Sequence, residues 1–339
     1  MWTIRTTALL VVGFLLTHCG GDDEVTNSPS VDEPDTMGFV VSVQAPLPTT
    51  RQEIYPTGLG DEIIVVGGID IYQSCSDRVE VYNPAANTWR RAASLPYRRH
   101  HIPLASVGNK VYATGGYTII EGHWRLRGTV FEYDNDRNEW AIKSPMMTPR
   151  AEHVAAAYDG KIYTIGGRET PSPASTALNN NEVYDPATDT WTALRNMPTR
   201  RWHAAVAVLD SLIYVIGGRY FDGIAIENRS TNEAYSPQSD TWYRRANLPI
   251  ASSGLSAAAL NGKVYAFGGE YFTNDGGMYV HVWEYDPETN RWDLFDNMRT
   301  PRHGTDAVTI SDAIYIIGGA DSHQFGAVNV NERYSMPQQ

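Results

Sequence analysis

Five arginines recur at one place in a repeating pattern: Arg51, Arg99, Arg150, Arg201 and Arg302, with Ser252 at the sixth place. A guanidinium can grip a carboxylate or phosphate through two parallel hydrogen bonds, so converging arginines suit an anionic ligand. Two residues further on stand Glu53, His101, Glu152, His203, Gly254 and Gly304. Glutamate and histidine can move protons at a bound substrate, and histidine titrates near neutral pH. Other chemistry is sparse. The chain has no His-Glu-x-x-His helix, no glycine-rich phosphate loop opening a helix and no Cys pair at metal spacing. Asp134-Asn135-Asp136 lacks the glycine and downstream glutamate of a calcium loop and reads as an ordinary turn. His101 and His203 read as hydrogen-bonded fixtures of a polar channel rather than a metal pair. Neither a metal nor a cofactor is expected.

The elements that position these residues are marked by glycines. Each arginine or serine lies sixteen residues before a glycine pair: Gly67-Gly68, Gly115-Gly116, Gly166-Gly167, Gly217-Gly218, Gly268-Gly269 and Gly318-Gly319. The steps between pairs are 48, 51, 51, 51 and 50 residues, and a fixed period of this size means a repeat architecture. An apolar, β-branched run precedes every pair, with tyrosine three residues before the first glycine in five of six. Such runs read as buried strands. Turn pairs such as Asp159-Gly160 and Asn261-Gly262 lie just upstream and suit tight hairpins. Downstream, a Tyr and a Trp stand seven apart in five units, from Tyr82 and Trp89 to Tyr285 and Trp292, with turn residues between them. The unit is therefore four short antiparallel strands, and such units repeated radially make propeller blades.

A glycine pair followed by Tyr and Trp seven apart, then Leu/Met-Pro and an Arg before the next strand, resembles the Kelch repeat. The resemblance covers roughly residues 38–336, with repeats starting near 51, 99, 150, 201, 252 and 302. It implies an all-β, six-bladed propeller with four antiparallel strands per blade. The sixth unit ends at Tyr334 without a fourth strand, and Val41 falls in register where the Trp would be. Residues 39–45 are therefore expected to complete the last blade.

In Kelch domains of ubiquitin-ligase adaptors, arginines near this repeat position bind acidic groups of partner peptides. The resemblance implies that role for the five arginines here, and Ser252 departs from it. The first strand of a blade is innermost, so the arginines and the residues two further on should surround the channel mouth. Long, varied loops follow the glycine pairs and share that end, and they carry Tyr117, Trp124, Arg125, Arg168, Tyr220, Phe221, Tyr271, Phe272, Tyr279, His323 and Phe325. Loops on a rigid scaffold are where binding usually resides. The expected function is a binding module for an acidic glycan or an acidic protein or peptide. One alternative is a sugar-modifying enzyme similar to the six-bladed Kelch epimerases of sialic acid, in which Arg would hold a carboxylate while Glu152, His101 or His203 moved a proton. Another is a structural spacer.

Charge and targeting signals bound these readings. Arg5 followed by the apolar run to Thr17 reads as a signal peptide over residues 1–18, too short for the roughly 20 apolar residues of a spanning helix. Leu16-Thr17-His18-Cys19 resembles a bacterial lipobox, with His18 where a small residue is usual, and implies lipidation at Cys19 and a place in the cell envelope. Residues 19–37 carry six acids and no base and read as a solvated tether. The remaining chain, to residue 339, has 33 acids against 26 bases, which argues against nucleic acid as a partner. A monomer is expected.

Overall fold

The computed structural model describes residues 38–172, 175–272 and 276–337. The signal peptide, Cys19 and the tether lie outside the described residues. Every regular element among the described residues is a strand. Six four-stranded antiparallel sheets form the blades. Blade three is representative: Val154–Tyr158, Lys161–Ile165, Asn181–Asp185 and Thr190–Ala193 pair in sequence order. The second strand of each blade is almost wholly buried and ends directly before its glycine pair. The first strands line a central channel of about 240 Å³ walled by small residues, among them Ala155, Ala207, Ala258 and Ala307. Six inner strands converge there, so large side chains have no room.

The N-terminal strand closes the wheel. Val40–Val43 pairs with Asn331–Ser335 as the outer strand of blade six, with Val41 opposite Tyr334. In blade two the same position pairs Tyr133 with Trp140. Phe39 seals the junction against Tyr265, Phe267 and Tyr334.

The Tyr/Trp spacing has a mechanical purpose. The Tyr133 hydroxyl donates to Asn138 Oδ1, and Asn138 adopts φ 53° in the turn between the last two strands. The same Oδ1 accepts the backbone N–H of Ala93, at the end of the preceding blade. Trp140 Nε1 donates to the Ala93 carbonyl. Blades one, three, four and five repeat the device through Asn87, Asp189, Asp240 and Asn290. Asn and Asp tolerate the left-handed region and supply the acceptor, so they alone among common residues suit the corner.

The glycine pair makes the inner clasp. The Gly68 N–H donates to the carbonyl of Arg99 in the next blade, and the Gly319 N–H donates to Arg51 to complete the circle. Gly67 has φ 65°, and a Cβ there would stand 2.4 Å from the Arg99 carbonyl oxygen. A side chain at that point would force adjacent blades apart.

Candidate functional site at the channel mouth

The structure corrects the expectation of an arginine-lined mouth. Arg51, Arg150, Arg201 and Arg302 are fully buried inside their own blades. Each pairs with a glutamate on the third strand: Arg51 with Glu80, Arg150 with Glu182 at 2.8 Å, Arg201 with Glu233 at 2.6 Å, and Arg302 with Glu332 at 2.6 Å. Their other donors bond backbone carbonyls, such as Val215 for Arg201 and Thr164 for Arg150. These four arginines hold strands together and reach no ligand. A signal for this lay in the sequence. Glutamate stands two residues before the repeat tyrosine in these four blades, but Phe131 and Trp283 stand there in blades two and five.

The two odd blades differ from the rest. Ser252 keeps only the carbonyl bond, to Gly268 at 2.9 Å. Arg99 has no carboxylate partner among the described residues. Its guanidinium lies 5.6 Å from the Phe131 ring and 5.7 Å from the Tyr97 ring, its Nε is buried without a partner, and one Nη bonds the Arg98 carbonyl. Burial, reinforced by the like charge of Arg127, pulls its pKa down to about 10. Arg98, Arg99 and Arg127 together line a groove of about 440 Å³ with Tyr97, Thr118 and Ile119.

The mouth itself is formed by the residues two further on. Glu53, His101, Glu152 and His203 have φ of 53°, 50°, 57° and 51°, and Gly254 and Gly304 share the conformation at 62° and 63°. Backbone hydrogen bonds run from His101 to Glu53, His203 to Glu152, Gly254 to His203 and Gly304 to Gly254. The blade geometry asks for glycine at this position. Four blades keep a charged or titratable side chain there at a cost of order 1 kcal/mol or more apiece. The turn residues Asn87, Asn138, Asp189, Asp240 and Asn290 share this conformation, but they are the Asn and Asp that tolerate it, whereas the mouth carries Glu and His.

Residues directly after the glycine pairs make a second ring. Arg168 donates to Glu152 Oε1 through Nε at 2.9 Å and Nη2 at 2.5 Å, and Arg219 donates to Glu270 Oε1 at 2.7 Å. Burial would raise the Glu152 carboxyl, but the Arg168 charge overrides it and holds the pKa at about 2. Burial likewise opposes ionisation of Glu53, and His101 and His203 beside it hold it well below its ordinary range. Burial, then the Arg219 charge, pushes His203 well down. Above these groups Trp124, Phe272 and Phe325 cap a cavity of about 140 Å³. Trp124 is carried by the hairpin of Tyr117–Ile120 and His123–Leu126.

The structure thus brings His101, Glu152 and His203 together, with Glu53, and leaves the four paired arginines and Ser252 outside. His101 is hydrogen-bonded as expected, through Nδ1 to His100 Nδ1 at 2.6 Å, whereas neither ring nitrogen of His203 has a hydrogen-bond partner among the described residues. Of the loop residues, Trp124, Arg168, Phe272 and Phe325 reach the cavity, whereas Tyr271 packs against Tyr279. Arg219, Glu270 and His303 were missed. Arg219 and Glu270 follow a glycine pair and bridge to the residue before the mouth ring, a register readable only once the strands are placed.

Comparison with known proteins agrees with this architecture. The KLHDC2/KLHL20/DRC7 Kelch-repeats domain matches residues 56–248, and the Kelch motif matches residues 251–299. The chain is 28% identical over 330 residues to Kelch-like protein terF of Aspergillus terreus, covering 94% of this chain and 71% of that protein. It is 29% identical over 257 residues to human Kelch-like protein 23, covering 75% of this chain. The chain spans 43% of the length of that relative, and 31% of beta-scruin from Limulus polyphemus, to which it is 28% identical over 290 residues, 80% of this chain. The solved structure titled "Structure of YjhT" shares the fold with a TM-score of 0.76 at 17% identity, covering 86% of this chain and 96% of that one.

Proposed function

The chain belongs to the Kelch-repeat family, and from that premise we propose that it is a binding module whose loop face receives a carboxylate-bearing partner at the groove of Arg98, Arg99 and Arg127. One observation carries this. Arg99 occupies a position whose four paired equivalents hold a buried glutamate, yet it has none among the described residues. An aspartate, glutamate or uronate from outside would complete the pair and relieve the repulsion between Arg99 and Arg127. The hairpin beside it carries Trp124, opposite the groove residue Ile119, as adjoining apolar surface. Export, and anchoring through Cys19, rest on the pattern of residues 1–19 alone.

The test is binding of glutamate-rich peptides and, separately, acidic glycans to the full chain and to variants Arg98→Ala and Arg127→Ala. Affinity that falls in both variants and weakens with salt supports the groove. Binding unchanged in both removes it, and the ligand panel separates protein from glycan partners. A second reading, an enzyme acting on an anionic sugar, draws on the convergence of Glu152, His101 and His203. NMR of sialic-acid anomers with added protein tests it, and a rate equal to buffer ends it.

A further inference from the structure

The mouth contains a cluster that the groove does not use. Glu53 Oε2 lies 3.0 Å from His101 Nε2 and 3.7 Å from His203 Nε2. His203 Nε2 lies 3.5 Å from Glu152 Oε2. Glu53, His101 and His203 each offer one donor atom within 4.8 Å of the others. The two imidazoles stack at 5.1 Å and 14°, so both rings present an edge to Glu53. Ligands at about 2.0–2.1 Å in a tetrahedron have edges of roughly 3.3 Å. The two edges to Glu53, 3.0 and 3.7 Å, straddle that value, and the third edge of the Glu53–His101–His203 triangle is no longer than 4.8 Å.

Unmet valence points the same way. His203 is 4% exposed and lacks a hydrogen bond at either nitrogen, and Glu152 Oε2 lacks one too. Buried polar atoms are nearly always paired, so two facing orphans call for a missing partner. Charge agrees. Glu152 and Glu270 face Arg168 and Arg219, but Glu53 has no guanidinium among the described residues. Outer bonds already orient the donors. His101 Nδ1 lies 2.6 Å from His100 Nδ1, the Tyr55 hydroxyl donates to Glu53 Oε2 at 3.3 Å, and Arg168 holds Glu152 Oε1 so that Oε2 turns to His203. Metal-binding histidines and carboxylates are commonly steadied in this way.

We propose that the mouth binds one divalent first-row transition-metal ion of the zinc class through Glu53 Oε2, His101 Nε2 and His203 Nε2, with the fourth position open to solvent and Glu152 as a neighbouring carboxylate. Two imidazoles with one carboxylate favour zinc-like ions over calcium or magnesium, which prefer all-oxygen shells. The left-handed conformation of these residues then has a purpose, since it aims the Glu53, His101 and His203 side chains at one point. The site shares no residue with the arginine groove, so either can fail alone.

The test is titration of the chelator-stripped full chain with Zn²⁺ by calorimetry and with Co²⁺ by visible absorption. The expected result is one equivalent of Zn²⁺ and the intense visible bands of four-coordinate Co²⁺. His203→Ala should weaken uptake by at least about 100-fold, and Glu53→Gln by about 10–100-fold. Zn²⁺ should also raise the Tm of the parent chain and not of His203→Ala. If His203→Ala fails to fold, His101→Gln gives the same readout. No uptake at micromolar Zn²⁺, uptake undiminished in His101→Gln and Glu53→Gln, or only the weak spectrum of octahedral Co²⁺ would overturn the site.

Discussion

Removing the Arg201 side chain should cost the fold about 3–5 kcal/mol, because it strands a buried carboxylate. Both Arg201 and Glu233 are wholly buried at the side chain. Arg201 Nη1 donates to Glu233 Oε2 at 2.6 Å and to the Thr199 carbonyl at 2.9 Å, and Nη2 donates to the Val215 carbonyl at 2.9 Å. In Arg201→Ala, Glu233 keeps only the Thr199 hydroxyl, at 2.7 Å. Two backbone carbonyls lose a donor as well. An unfolding entropy of about 2.1 cal/mol/K per residue gives roughly 0.6 kcal/mol/K for about 300 residues, so Tm should fall by about 5–8 °C. The assay is calorimetry of variant and parent at one scan rate, beside binding of an acidic peptide measured below both transitions. Blade five offers an internal control, since it carries Ser252 and Trp283 where blade four carries Arg201 and Glu233. Arg201→Ser combined with Glu233→Trp should therefore be less damaging than Arg201→Ser alone. A variant within about 1 °C of the parent that has lost peptide binding would refute the reasoning and return Arg201 to the binding face.

Three further outcomes follow from the same structure. Deleting residues 1–49 removes the outer strand of blade six and Phe39, and should lower Tm by many degrees; unchanged stability would sink the closure. Gly67→Ala should cost about 2 kcal/mol or more, because its Cβ meets the Arg99 carbonyl oxygen at 2.4 Å, whereas Gly108→Ala, with φ 58° and open space, should cost about 1 kcal/mol. Urea unfolding distinguishes the two, and equal losses would remove the steric account of the clasp. Asp306 sits in the channel, where burial pushes its carboxyl up to about 7 from an ordinary 3.8. The folded protein then holds that proton more tightly than the unfolded chain does. The Asp306 contribution is thus most favourable below about pH 4, declines as pH rises to about 7 and is flat above. Asp306→Asn lacks this slope, so its advantage over the parent should grow across that window by at most about 4 kcal/mol. Parallel stability–pH curves for the two proteins would show that channel water solvates the carboxylate.

Much of the scaffold was legible in the residues because its signals are local. Glycine pairs, turn pairs and the Tyr–Trp interval are determined within a few residues of chain, and repetition in register removed the ambiguity that a single short strand carries. The Val41–Tyr334 pairing followed from counting along one repeat. The arginine ring shows where that logic stops. Position in the repeat placed the side chains at the correct end, but not their direction. The third-strand glutamates that turn Arg51, Arg150, Arg201 and Arg302 inward lie about thirty residues downstream, across an intervening loop of variable length.

The amino-acid sequence by itself determined the wheel, its six units, its N-terminal closure and the end that carries the long loops, since these depend on backbone preferences that recur in every blade. Only the tertiary structure decided which polar residues meet. Glu53, His101 and His203 come from three blades, and Arg168, Arg219 and Glu270 come from the loops of three blades. No periodicity encodes a convergence made by closing a circle. The burial that makes those charges consequential exists only once the six blades have met.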